Sequence, residues 1–457
     1  MGAQQSTKTG TIAEALAAFV LETTADRIPE LARDRARMSL ASTIASASMG
    51  FGIESTTIIR DLELADGGTG ESAVWFSGRR LPSARAARAN AVASDAAASD
   101  DSDLRSIAHI GTIVSTCGLA IAETTGSTAA EVLDAMVLGY EVAGRIDEAL
   151  TPGRMRRGFH GSVSTVFGAT ATTGRLLGLD HDAMTHAIVL AATSIGGMAV
   201  SADTSWGREY HAGHAALSGI HAARAAQRGF RGETTLLETS RGFLEAMGAQ
   251  SIDDITAGLG DDWDIVTDMA IKLMPGAHPF HAVAEAAAEA GTGVDPDDIE
   301  RVVVNAAVQW TNFHGDPHPR NLVDAAHSLP YFIAAAIVDG AFGWQHMDVE
   351  RMLDPTIARI QDLVEMDPDP TPLPDRFPHR HGGTVTVILR GGGSISATCV
   401  APRGSGPRGV EWADVEEKYR RLAPIAGLGV EQVETSIGTL RGFGRTAGVA
   451  DLLGQLR

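Results

Sequence analysis

The sequence predicts a mainly α-helical protein, a large all-helical domain joined to a smaller α+β domain, on three observations. Between residues 11 and 263, apolar positions recur at helical spacing in Ala-rich runs cut by short Gly, Asp or Pro breaks. Alternating, β-branched stretches are concentrated after Lys272, and helical spacing returns after Pro402-Arg403-Gly404. At 457 residues the chain also exceeds the roughly 250–300 at which a single core stops growing, which favours two domains.

In chain order, the periodicity predicts helices over 12–23, 28–49, 84–98, 110–123, 129–150, 163–177 and 183–195. Their Ala and Gly content allows close interhelical approach. Residues 301–308 form a β-branched run after Asp295-Pro296-Asp297-Asp298. Residues 383–389 alternate, and with Gly391-Gly392-Gly393 and 394–400 they read as a hairpin. Helices over 282–290, 330–339 and 349–353 separate these strands, and 366–378, with five prolines, reads as a loop. Helices return over 412–422 and from 430 to the end. The expected domains are 1–267 with 403–457, all-helical, and 268–402, α+β.

Composition narrows the partners. With 37 Lys+Arg against 57 Asp+Glu, the formal charge of −20 argues against nucleic acid or an anionic membrane surface, both of which reward a basic face. No window suggests a membrane-spanning helix, and the N-terminus lacks a secretory pattern. Gly2 and Ser6 meet only a loose myristoylation pattern. Cys117 and Cys399 supply neither a disulfide framework nor a zinc site, so a cytoplasmic location is expected.

Only three lysines occur, Lys8, Lys272 and Lys418, against 34 arginines. Lys272 lies in an apolar context at the expected domain junction. There a desolvated amine can lose its proton, which arginine cannot. Arg154-Met155-Arg156-Arg157-Gly158-Phe159-His160 precedes a predicted helix, whose positive end suits a carboxylate. The arginines read as a solvated basic loop, whereas His160, between glycines, reads as a site residue. Asp100-Asp101-Ser102-Asp103 and His109 form a polar cluster at another helix start, without the spacing of a calcium loop. His278 and His281 suit metal ligation by spacing but lack a third ligand. Nucleotide and serine-hydrolase signatures are absent.

Several segments together resemble the MmgE/PrpD family. They are Arg80-Leu81-Pro82 with 86–93, Gly158-Phe159-His160 with 174–180, His211-Ala212-Gly213, Lys272 with Pro275 and His281, Ser328-Leu329-Pro330-Tyr331, and Pro402-Arg403-Gly404 near Lys418-Tyr419. The resemblance implies a helical domain with an α+β lid and a homodimer acting on small di- or tricarboxylates, with no metal or other cofactor. It places catalysis on His109, His160 and Lys272, and substrate binding on Asp100, Asp101, Ser102, Arg208 and His281. Three positions depart from the family pattern. Ala98 falls where the family opens its acidic motif with an aspartate, a place Asp100 takes after a one- or two-residue slip; Arg208 replaces a lysine; and a lid tyrosine of decarboxylase members falls near Phe313, which counts against aconitate decarboxylation, as the missing acidic-loop signature around Ile107-Ala108-His109-Ile110 counts against true 2-methylcitrate dehydratases. The expected reaction is proton transfer at the carbon α to a carboxylate. Dehydratase-type lyase chemistry ranks first, followed by epimerisation, decarboxylation and a non-catalytic homologue.

Overall fold

The computed structural model describes residues 10–105, 107–306, 317–368 and 382–457. Phe313 and most of the proline-rich 366–378 stretch lie outside them. The chain is predominantly helical, and the small β-sheets belong mainly to its α+β region.

Two of the helices open where the sequence supplies capping groups. Thr11 and Glu14 form a reciprocal capping box at Ile12–Glu22, as do Thr128 and Glu131 at Ala129–Leu150. Glu30–Gly50 buries Ala, Ser and Thr on most of its surface and packs against Ser83–Ala96 and Trp412–Leu422. Two apolar clusters fill the helical part. One is centred on Phe167, Leu16 and Met184, and the other joins Ile44, Tyr140 and Leu138 to Tyr419, Leu422, Leu440 and Phe443 near the C-terminus. The helical pattern after 430 is divided into Val430–Gly442 and Val449–Gln455 by a turn through Gly444, whose φ is +77°.

The α+β region carries a four-stranded sheet in the order Val364–Met366, Ile299–Ala306, Gly383–Leu389, Ser394–Cys399. The first pair is parallel and the others antiparallel, with Val385 opposite Ala397 across the predicted hairpin. Val385 and Val387 face inward against His281–Ala290 and Leu329–Asp339, around Phe280 and Phe332.

Two short ladders carry too few residues to show periodicity. Ser72–Val74 pairs with Arg79–Leu81, and Ser102–Asp103 pairs with Met269–Ala270. The second determines where the polar cluster meets Lys272, because Ser102 lies opposite Ala270, two residues before the lysine. Among the described residues, no helix is long and apolar enough to cross a membrane.

Candidate active site

A cavity of about 340 Å³ opens between the helical body and the α+β region, lined by Ser102, His109, His160, Arg208, Lys272 and His278 among others. Residues distant in sequence meet there because segment 97–105, which brings Ser102 to the cavity, turns back on itself. Asp103 N–H donates to Ala108 O at 2.8 Å, Ile107 N–H donates to Asp103 O at 2.7 Å, and His109 then opens helix Ile110–Thr125. Ala98 and Ile107 hold φ of +51° and +61°, a region that side chains with a Cβ seldom occupy. Glycine is required at 111, because a Cβ there would lie 2.0 Å from Asp101 Oδ2.

His109 and Asp100 form a hydrogen-bonded pair. Asp100 Oδ2 lies 2.9 Å from His109 Nδ1 and also accepts from Thr112 Oγ1 at 2.9 Å. An acceptor at Nδ1 assigns that nitrogen the proton and leaves the Nε2 lone pair available. Burial opposes ionisation of Asp100, but His109, Lys272 and Arg208 hold its carboxyl well below the usual range.

His160 shows the complementary arrangement. Ser162 N–H donates to its Nδ1 at 3.3 Å, so the neutral ring carries its proton on Nε2. Burial, then His109 and Arg154, push its pKa well below the ordinary histidine value and keep it neutral. The two imidazoles stack with centroids 5.9 Å apart, one offering a base and the other a donor. His160 approaches this closely because the next residue is glycine, where a Cβ would lie 2.9 Å from Ala108 Cα.

Lys272 is 2% exposed. Its ammonium donates to Ala98 O at 3.3 Å and sits 4.0 Å from Asp100 Oδ1. Burial lowers its pKa and Asp100 resists the shift. Arg208 lines the cavity but is largely committed elsewhere. Its Nη2 donates to Asp95 O at 2.7 Å, and its Nε lies 3.0 Å from Asp95 Oδ1. Burial and Asp100 raise the Asp95 carboxyl to about 6 against the pull of Arg208.

Three predicted substrate-binding positions fall behind the cavity wall. Asp100 reaches the cavity through His109. Asp101 turns away to accept from Ser39 Oγ at 2.7 Å. His281 begins helix His281–Ala290, so its ring packs between His278, at 4.5 Å between centroids, and Phe332. Ser102 does line the cavity and contacts His278 Nδ1 at 2.5 Å.

The basic loop divides. Arg154 is buried in a bidentate pair with Asp147, with both N···O distances 2.9 Å, contrary to the expected solvated loop. Arg156 remains exposed at the cavity rim. Sequence reasoning missed Asp95, Asp203 and His327. Asp203 and His327 line the cavity 3.6 Å apart, and burial raises Asp203 to about 7 and lowers His327 to about 3. Neither has neighbours in sequence that mark it.

Asp95, Asp100 and His109 place one potential ligand atom each within 4.8 Å of one another, a geometry open to a metal ion. Arg208 and Lys272 already face the two carboxylates. The set therefore also forms a charge-compensated site without a metal.

Two family models match the chain. The MmgE/PrpD N-terminal domain matches residues 14–254, and the MmgE/PrpD C-terminal domain matches residues 275–437. Similar curated proteins include the cis-aconitate decarboxylase of Homo sapiens, 28% identical over 64% of this chain and 62% of that protein. Those of Mus musculus and Aspergillus terreus are each 25% identical, over 64% and 74% of this chain and 61% and 74% of theirs. The chain thus spans about three fifths of the length of the two mammalian relatives it matches. Its two domain matches together cover most of its length, and the chain belongs to the MmgE/PrpD family.

Proposed function

We propose that the protein is a lyase acting on a small di- or tricarboxylate by proton transfer at the carbon α to a carboxylate. The observation that carries the reading is the pair of stacked imidazoles with opposite tautomers beside a buried lysine. Taking a proton from that carbon places charge on the carboxylate, and a site for this chemistry needs a base together with donors where the charge develops. His109 Nε2 takes the proton, oriented by Asp100. Lys272 and the remaining face of Arg208 meet the developing charge, and His160 Nε2–H serves the leaving group or the opposite face. Arg156 at the rim attracts a second carboxylate.

In the dehydratase-type reaction, the electron pair left on carbon forms the double bond while a β-hydroxyl leaves as water. A second reading, decarboxylation, draws on the relatives' names. There the bond to a carboxyl carbon breaks, CO₂ leaves, and the electron pair left on carbon takes a proton from His160 Nε2–H. The replacement of the decarboxylases' lid tyrosine by Phe313 weighs against it. Epimerisation would use the same two imidazoles without a leaving group. A homodimer is proposed from the family resemblance, and a cytoplasmic location from the two isolated cysteines.

Incubation with citrate, 2-methylcitrate, cis-aconitate and iminodisuccinate, followed by proton NMR and CO₂ detection, tests the proposal. Turnover of at least one acid with loss of water is expected. CO₂ release would select the second reading, an epimer without elimination would select the third, and turnover of none would refute all three.

A further inference from the structure

Lys418 occupies a position where an apolar side chain would be expected. Helix Trp412–Leu422 buries Val415, Lys418, Tyr419 and Leu422 and turns its other charged residues outward. The lysine is 2% exposed. An ammonium taken out of water costs several kcal/mol unless its donors are satisfied and opposite charge is near. Here Nζ donates to Ser42 Oγ at 2.8 Å and to Ser99 O at 2.5 Å, and it lies 5.7 Å from the Trp344 ring centroid. Its charge faces Asp101 and, more distantly, Asp100 and Lys272.

The second observation concerns what these donors hold. Ala98 O accepts from Lys272 at 3.3 Å and from Gly276 N–H at 2.8 Å, Ser99 O accepts from Lys418, and Asp100 carries the bond to His109. Three consecutive residues are therefore fixed from different sides, beginning at Ala98 with its φ of +51°. A residue in that region persists only where its surroundings over-determine it. Two of the chain's three lysines converge on this short strap.

We infer that Lys418 is a positioning residue: by holding the Ser99 carbonyl and facing Asp101, it keeps the strap in the conformation that aims Asp100 at His109. It does not line the cavity and touches no reacting atom. The inference rests on the proposed acid–base role of His109 for its kinetic readout, but not for its spectroscopic one.

The test is Lys418→Met, which keeps the side-chain volume and removes the donor. In ¹⁵N-histidine-labelled protein, with His109 assigned by comparison with His109→Gln, the wild type should show a single Nδ1–H tautomer. Lys418→Met should shift that signal towards a tautomer mixture. On an acid that the wild type turns over, kcat should fall by about 10²-fold with KM within about threefold, the scale expected when a reacting group is misplaced by about an ångström. Should Lys418→Met not fold, Ser42→Ala removes one acceptor more gently and should move the same signal in the same direction. Unchanged His109 signals in the folded variant would overturn the inference. If the wild type acts on none of the acids tested, the proposed function falls while the histidine spectra still decide the role of Lys418.

Discussion

Asp100→Asn perturbs the site with little change in shape. The substitution removes a negative charge 2.9 Å from His109 Nδ1 and 4.0 Å from Lys272 Nζ. At the latter separation, a charge pair is worth about 4 kcal/mol at an effective dielectric of about 20. Without Asp100 to oppose it, burial would lower the Lys272 pKa further, and His109 would face an amide that can donate as well as accept, so its tautomer would no longer be fixed. Proton transfer by a positioned side chain is worth roughly 10²–10⁴-fold, so kcat should fall by that factor, about 3–5 kcal/mol on the barrier. KM should stay within about threefold, because Asp100 is not among the residues lining the cavity. Steady-state rates on the acid the wild type turns over, measured beside a thermal melt, provide the assay. A folded variant with kcat within about threefold of wild type, or one whose loss lies wholly in KM, would refute the reasoning.

Lys272→Arg should also lose about 10²-fold in kcat, since the larger guanidinium keeps the charge but displaces it from its place beside Ala98 O and Asp100; wild-type kcat would remove Lys272 from the charge-stabilising role. Arg156→Ala should raise KM about two- to fivefold with kcat nearly unchanged, the scale of an exposed ion pair, and the effect should fade with added salt. Asp203 has its folded pKa raised from 3.8 to about 7, so the native state binds the extra proton and its contribution to stability is lost as pH rises through that window. Asp203→Asn should therefore flatten the fall in urea-unfolding free energy between about pH 4 and 7, with an effect of up to about 3–4 kcal/mol at pH 7; parallel curves for variant and wild type would contradict this.

The helical body and the hairpin were legible because their apolar periods extend over many residues. The turn through Gly444 and the two short ladders were not, since a two-residue strand has no period. Lys272 stood out through scarcity, and His160 and His109 through their places at helix starts. The same rules did not separate His278, which lines the cavity, from His281, which packs behind it, because that difference depends on how a helix start is rotated against Phe332. Asp95 and Asp203 were missed for a related reason. Asp95 lies in a helix that reads as ordinary and Asp203 in the short helix Ala199–Thr204, which the periodicity does not mark, and they meet Arg208 and His327 across long sequence separations. Arg154 shows the opposite error, where charge density suggested solvent but Asp147 waited in the core.

The central claim is that His109 moves a proton at carbon beside a carboxylate. Its most direct measurement is loss of deuterium to water from an acid labelled at the carbon α to a carboxylate, read by NMR for wild type and His109→Gln side by side. The account predicts loss of the label on turnover by the wild type, slowed about 10²-fold or more in the variant. Loss of the label at an undiminished rate in folded His109→Gln would contradict it.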